Sequence, residues 1–381
     1  MSTESTVAPI FPLDLTAERA LLGDQLEEAV LRVLHSGQYV LGPEVACFEA
    51  GFADLCGVPH AVGVTSGTEA IVIALKAAGV EPGDEVVTSP FTFFASAAAV
   101  VWSGAVPRLA DVDPATALLD LDATRAATTA KTRALLPVHL YGQMVDVHAF
   151  RALADERGVA LVEDAAQAHG ARFGDAAPGQ VGDCAAFSFY PTKNLGAAGE
   201  AGLVTTARDA VGERARLLRD HGSPKKYEHA FVGTNARMHA FQAAVLSVKL
   251  PHLAGWNDRR RTIAARYDAA LTPLDGVHPL RRAAEATHVY HQYTVRIEGD
   301  DDRRGRVQAH LAEAGVHAAV HYPKPVHLQE AARDWGYGPG DFPHAEALAR
   351  EVLCLPVHPF LTDEAVDRVL DATATALQAT A

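Results

Sequence analysis

No stretch of the 381-residue sequence approaches the roughly 20 consecutive apolar residues needed to cross a bilayer. The N-terminus, MSTESTVAPIFPLDL, lacks a basic region followed by an apolar one, so no secretory signal is expected and a cytoplasmic location is. Positive charge is in deficit. Lys and Arg number 33 against 47 Asp and Glu, a net charge of -14. That balance argues against nucleic acid as a partner. It leaves an anionic small substrate open, because local fields outweigh net charge at a binding site. Cysteine is scarce. The four, Cys47, Cys56, Cys184 and Cys354, form no C-x-x-C pair, so free buried thiols are expected rather than a metal site or disulfides. No G-x-G-x-x-G stands at a first strand-to-helix turn, which speaks against a nucleotide-dependent oxidoreductase. There is no internal repeat, low-complexity segment or long linker. Disorder is expected only in the first several residues and at the extreme C-terminus.

What is present is alternation. Ala61–Thr65, Glu85–Thr88, Arg133–Leu140, Ala160–Val162, Ala185–Phe189 and Gly202–Thr205 read as short buried strands. Glu69–Ala78, Ala95–Trp102 and Val147–Glu156 read as helices between them. This pattern predicts an α/β fold with a mostly parallel sheet covered on both faces. Side chains that do chemistry gather at the carboxyl ends of such strands. From about Leu250 the texture changes. An Arg-rich helix over Trp256–Leu271 precedes a strand at Tyr290–Ile297, a helix at Arg306–Ala314, a strand at Ala318–His321 and a last helix at Asp363–Leu377. Length alone suggests two domains at about 150 residues each. The expected division is a large domain over 1–250 and a smaller α+β domain over 251–381.

Four stretches carry chemistry together. Thr65-Ser66-Gly67-Thr68-Glu69 stands where a strand meets a helix. Its unpaired N–H groups suit a phosphate, although the same residues suit an ordinary helix cap. Val162-Glu163-Asp164 ends an apolar strand with two acids, followed by Ala165-Ala166-Gln167-Ala168-His169-Gly170. A carboxylate there is poised over the edge of the sheet, and Asp164 is the stronger candidate. Ser188-Phe189-Tyr190-Pro191-Thr192-Lys193-Asn194-Leu195-Gly196 puts a lysine in a small-residue turn just after a buried strand. Lysine more often sits on a solvated helix face. Near a phosphate and a cationic ring its amine loses its proton more readily and can form an imine. Finally, Gly233-Thr234-Asn235-Ala236-Arg237-Met238 pairs a tight backbone with an arginine suited to carboxylate or phosphate.

SGTEA, PGDEVV, EDAAQAHGA, SFYPTKNLGA, GTNARM and HYPKPVH, in this order, resemble the DegT/DnrJ/EryC1/StrS family of aminotransferases. The resemblance runs from roughly Asp14 to roughly Phe360. It implies the aspartate-aminotransferase-like fold (fold type I) and pyridoxal 5'-phosphate (PLP) as cofactor, with its amine form PMP. Lys193 is then the Schiff-base lysine. Asp164 pairs with the pyridine nitrogen and Gln167 contacts the ring hydroxyl. Gly67, Thr68 and Ser188 bind the phosphate, and Phe93 stacks on the ring. Asn235 reaches the phosphate of a partner subunit, which implies a homodimer with shared active sites. The resemblance departs at Ala201, where the family usually has Gly. Lysine at 193 favours amino transfer over the dehydration performed by relatives with His there.

The reaction implied moves an amino group from L-glutamate, or a similar donor, to a keto group of a nucleotide-linked sugar. Ser36–Glu44 and His321-Tyr322-Pro323-Lys324-Pro325 look most like enzymes acting on a 3-keto hexose. C4-keto sugars and cyclitols are the near alternatives. A PLP-binding regulator without catalysis is the distant one; few residues precede the matched region to form a helix-turn-helix. Candidate substrate contacts are Arg237, His321, Tyr322, Lys225 and Tyr227. His321 could equally be a structural histidine, and Lys225 and Tyr227 could belong to a solvated loop.

Overall fold

Short runs of β-branched and small apolar residues, buried on both faces, set the central layer. The computed structural model describes residues 8–380. Its first eight strands in chain order are β1 (His60–Val64), β2 (Glu85–Thr88), β3 (Val106–Leu109), β4 (Thr132–Leu136), β5 (Ala160–Asp164), β6 (Arg172–Phe173), β7 (Cys184–Ser188) and β8 (Gly202–Thr206). All but β6 join one sheet in the order β1-β8-β7-β5-β4-β2-β3. The pairs from β7 through β5, β4 and β2 to β3 are parallel. β8 runs antiparallel to both β7 and β1. The carboxyl ends of β1, β5 and β7 therefore point to one edge, where β8 begins.

The helices in chain order are α1 (Leu15–Ser36), α2 (Pro43–Cys56), α3 (Gly67–Ala77), α4 (Ala95–Trp102), α5 (Leu121–Ala127) and α6 (Val147–Arg157). They continue as α7 (Asp209–Leu218), α8 (Ala240–Lys249), α9 (Leu253–Leu271), α10 (Arg303–Glu313), α11 (Pro343–Glu351) and α12 (Asp363–Ala379). Two apolar layers cover the two faces of the sheet. One joins Val62, Val86, Leu136 and Val204 to the α3 side chains Ile71, Ile73 and Leu75. The other joins Val87, Leu135, Leu161 and Phe187 to Phe48 and Phe52 of α2. Burying one such side chain contributes about 1.5–3 kcal/mol, so the sheet is the rigid part of the molecule.

A second sheet, of three strands, contains β9 (Val277–Pro279), β11 (Tyr293–Ile297) and β12 (Val352–Leu355) in the order β12-β11-β9. The two-residue β10 (Ala286–Thr287) pairs with β6 instead. The core beneath this sheet includes Ile263, Tyr267, Val307, Leu311, Val366 and Val369, from α9, α10 and α12. Ile10 joins the same core and exchanges backbone hydrogen bonds with Gly315 and His317.

Three expectations are corrected. The strand expected through Leu140 ends at Leu136 because Pro137 follows and Leu140–Gly142 form a 3-10 turn. The strand expected at Ala318–His321 is a single bridge, Ala319 to Cys354. Cys56, Cys184 and Cys354 are buried free thiols as expected, but Cys47 is exposed on α2. The disorder expected of the N-terminus falls on residues 1–7, outside the described residues. At the other end α12 continues to Ala379, two residues past its expected end, and Ala381 lies outside the described residues. No described helix is long and apolar enough to cross a membrane.

Candidate active site

A cavity of about 660 Å³ opens where the strand ends converge. Nine of the sequence-derived candidates line it. Gly67 and Thr68 come from the first turn of α3, Phe93 from the loop before α4, and Asp164 and Gln167 from the end of β5. Ser188 ends β7 and Lys193 follows it, and His321 and Tyr322 come from the segment before residue 326.

The α3 end serves two purposes. The Ser66 hydroxyl accepts a hydrogen bond from the Glu69 N–H at 3.2 Å, an ordinary helix cap. Ser66, Gly67 and Thr68 line the cavity at the N-terminal, positive end of the helix dipole, a setting for a phosphate. A Cβ on Gly67 would lie 2.4 Å from Ser188 Cβ. One on Gly202 would lie 2.1 Å from the Ser66 carbonyl oxygen. Only glycine lets the α3 turn, the end of β7 and the start of β8 approach this closely.

Asp164 and Glu163 are separated by the period of the strand, which sends neighbouring side chains to opposite faces. Glu163 points away from the cavity. It bonds His139 Nε2 at 2.8 Å and accepts from the Gly179 and Gly182 N–H groups, so it is a structural acid. Asp164 lines the cavity. Its Oδ2 accepts from the Ser96 hydroxyl at 2.7 Å and its Oδ1 from the Ala166 N–H at 3.1 Å. Burial nevertheless pushes its pKa up, against these bonds and the nearby Lys193.

Lys193 lies in the turn between β7 and β8, its own N–H bonded to the Tyr190 carbonyl at 2.9 Å. Its amine has no hydrogen-bond partner among the described residues. Burial pulls its pKa down to about 8, with Asp164 opposing. An amine so poised is a nucleophile and a base near neutral pH.

Gln167 is fixed at both ends of its amide. Its oxygen accepts from the Tyr141 N–H at 2.6 Å and its nitrogen donates to the Tyr322 hydroxyl at 3.1 Å. Phe93 is 58% exposed, which removes core packing as its purpose. Its ring meets that of Tyr322 at a centroid distance of 5.9 Å, so the two form one aromatic flank of the cavity. The His321 carbonyl accepts from the Tyr141 hydroxyl. Burial and then Lys193 hold the His321 imidazole below its usual pKa.

Four candidates lie away from this cavity. Asn235 is exposed and accepts from Arg237 Nε at 3.1 Å, while Arg237 also reaches Asp220 at 3.4 Å. Lys225 pairs with Glu228 at 2.9 Å, and Tyr227 is 85% exposed on the same turn. Within one chain none of the four faces Lys193. Ala201, the departure from the family pattern, is buried, and its carbonyl accepts from the Phe189 N–H at 2.8 Å. Ala201 is not among the residues that line the cavity.

Sequence reading missed Ser96, which holds Asp164, and Tyr141, whose N–H holds Gln167. It also missed Arg260 and His291, which line the cavity from α9 and the segment before β11. The spacing on α9 carries a usable signal. Leu253, Trp256, Asn257, Arg260, Ile263, Ala264 and Tyr267 form one buried stripe, so two polar residues interrupt an apolar face.

The strand-end constellation, with a free amine facing a buried carboxylate and a glycine-lined helix end, matches a known family model over residues 21–374, that of the DegT/DnrJ/EryC1/StrS aminotransferases. The chain belongs to this family. It is 47% identical over 358 residues to the erythromycin biosynthesis sensory transduction protein EryC1 of Saccharopolyspora erythraea, covering 94% of this chain and 97% of that one. It is 44% identical over 372 residues to the dTDP-3-amino-3,4,6-trideoxy-alpha-D-glucose transaminase of Streptomyces venezuelae, covering 98% and 97%. The crystal structure of S. venezuelae DesV in complex with a ketimine intermediate superposes with a TM-score of 0.94 at 44% identity, covering 98% of this chain and 99% of that one. The expected fold is therefore borne out: a fold-type I α/β aminotransferase with a mostly parallel sheet. Its cofactor is PLP, which alternates with PMP during amino transfer; a structural neighbour 28% identical holds PMP. The cradle at Gly67, the unpartnered Lys193 amine and the buried Asp164 fit that group.

Proposed function

We propose that this aminotransferase moves an amino group from L-glutamate, or a similar donor, to the C3 keto group of a nucleotide-linked hexose. The observation that carries the reading is Lys193 beside Asp164 in one cavity, with the amine held near a pKa of about 8 by burial. Similarity to the S. venezuelae transaminase supports the 3-keto position.

When bound, PLP supplies a cationic ring that takes up the electron pair left on carbon as a proton departs. Asp164 keeps a proton on the ring nitrogen, and a cation there offsets the burial that raises its pKa. Ser96 and the Ala166 N–H orient that carboxylate. Gly67, Thr68 and Ser188 hold the phosphate at the α3 end, and Gln167 contacts the ring hydroxyl. Phe93, on the aromatic flank of the cavity, would shield the ring from water. With the cofactor bound, the Lys193 amine would take the proton from the donor's alpha carbon and hand it on within the cavity. His321 and Tyr322 hydrogen-bond the sugar.

The same reading makes the protein a cytoplasmic homodimer. Asn235 and Arg237 then serve the partner subunit's site, and Lys225 and Tyr227 meet the nucleotide and its diphosphate. Their distance from Lys193 within one chain is what such sharing requires. We also read the chain as two domains, 1–250 and 251–381, with residues near Ile10 packed on the second. A role in regulation alone, as the name of EryC1 suggests for that protein, has no need of a nucleophilic amine facing a buried carboxylate.

The test supplies purified enzyme with PLP and L-glutamate and compares a 3-keto nucleotide sugar with its 4-keto isomer. Faster amination of the 3-keto sugar is expected. Equal or reversed preference replaces the reading with a C4 or cyclitol acceptor.

A further inference from the structure

α9 turns a mostly apolar stripe toward the interior, yet Asn257 and Arg260 stand in it one turn apart. Asn257 has a structural explanation. Its side chain accepts from Asn194 at 2.9 Å and donates to the His169 carbonyl at 2.8 Å, tying α9 to the residue after Lys193. Asn194 in turn donates to the Val289 carbonyl and accepts from His291 Nδ1 at 3.2 Å. That bond puts the proton of the neutral imidazole on Nδ1.

Arg260 is only partly explained. It is 4% exposed and lines the cavity. Its Nη1 donates to the Tyr290 and Val357 carbonyls. Its Nε is buried without a partner, and no protein group accepts from Nη2 among the described residues. No carboxylate among the described residues forms an ion pair with it. Burial alone pulls its pKa down to about 10, still far above neutrality, so the guanidinium stays charged. A buried, uncompensated cation is destabilising unless something anionic meets it during function. Its position in the cavity wall says where that anion comes from.

We propose that Arg260 receives a carboxylate of the amino donor. The proposal rests on the aminotransferase reading above and names a residue of its donor subsite. Three points favour the donor over other anions. The cofactor phosphate is provided for at the α3 end, by Gly67, Thr68 and Ser188. The diphosphate of a nucleotide sugar belongs to a long ligand that must extend toward the exposed mouth, where Thr192 and Glu200 lie. Arg260 is deep, and it lies close enough to His291 for its charge to act there, as does that of Lys193. A guanidinium also matches a carboxylate in shape and charge better than any other group lining this wall.

The test is calorimetric titration of the PLP-loaded enzyme with glutarate, a donor lacking the amine, and separately with dTDP. In Arg260→Gln, glutarate affinity should fall roughly tenfold to a hundredfold, the range for a charge-assisted hydrogen bond. Affinity for dTDP should change less than about twofold. In the donor half-reaction, followed by cofactor absorbance, KM for L-glutamate should rise by a similar factor, with partial rescue in Arg260→Lys. Loss of dTDP affinity with unchanged glutarate binding assigns Arg260 to the acceptor and overturns the proposal. Unchanged binding of both, or failure of both variants to fold by circular dichroism, makes Arg260 a strut between the Tyr290 and Val357 carbonyls and overturns it equally. Glutarate binding needs no acceptor, so it remains readable if the proposed sugar is wrong.

Discussion

The cavity has two walls of different construction. One is made by strand ends and helix starts of the large sheet: Ser66–Thr68 after β1, Asp164 at the end of β5, Ser188 at the end of β7 and Lys193 after it. The other is made by α9, the segment before β11 and the segment around His321, contributing Arg260, His291, His321 and Tyr322. The first wall is local in sequence. Each group stands within a few residues of a buried strand whose direction fixes where it points. The second wall joins pieces separated by about 30 residues each. There only packing decides which polar side chain looks inward. The comparison teaches that the candidate reacting groups ride on the central sheet, while the opposite wall is assembled from more distant chain.

If the strand-end wall carries the chemistry, its loss should have the largest effect. Lys193→Ala should lose at least about 10⁴-fold in turnover, since proton transfer and imine formation vanish together. In the wild type, borohydride should fix the cofactor to Lys193, and a tryptic map with the adduct elsewhere would sink the assignment. The lowered pKa also gives a sign. Above a pKa of about 8 the folded amine is free, and below it each pH unit removes about tenfold of the reactive form. Capture of added cofactor by apo-protein in stopped flow should therefore rise with pH and level off above about 8. For stability, the unfolded lysine binds the extra proton between about 8 and its ordinary value of 10.5, so apo-protein gains stability as pH rises through that window. The comparison with Lys193→Met isolates this contribution.

Asp164→Asn tests the same wall less severely. Asparagine cannot keep the ring nitrogen charged, and turnover should fall at least about a hundredfold, on the order of 3 kcal/mol in the barrier. Near-normal turnover with cofactor still bound would remove Asp164 from the chemistry.

The smallest expected effect asks whether a third wall comes from a second copy. Lys193→Ala and the double variant Asn235→Ala with Arg237→Ala should each be inactive or weak alone. Mixed and allowed to exchange, about half of the dimers become hybrids with one intact site of two. Recovery near a quarter of wild-type activity is then expected. No recovery, once mass spectrometry has detected hybrids, would return Asn235 and Arg237 to their own chain.

Much of the first wall was legible. Glu85–Thr88 and Ala95–Trp102 form the elements their periodicity predicts, with the same bounds. Asp164, Ser188 and Lys193 follow strands recognisable as short apolar runs. Legibility fell where periodicity gave no direction. Ala318–His321 reads as a strand, but only Ala319 finds a partner on β12. Glu163 and Asp164 both end the strand in sequence, with Asp164 the stronger candidate. The sheet separates them, by sending Glu163 to His139 and Asp164 to the cavity.

The sequence by itself determined the alternation of strands and helices, the lysine and the aspartate as candidates, and the glycine at the start of α3. Those are properties of neighbouring residues, set by backbone sterics and by the period of burial along one element. Only the tertiary structure decided that Ser96 and Ala166 hold Asp164, that Tyr141 and Tyr322 clamp Gln167, and that Arg260 stands in the cavity wall without a counter-charge. The physical reason is that burial and pairing depend on groups brought together from far along the chain. A guanidinium in the sequence is only a charge, and its environment in the fold decides whether water or a ligand satisfies it.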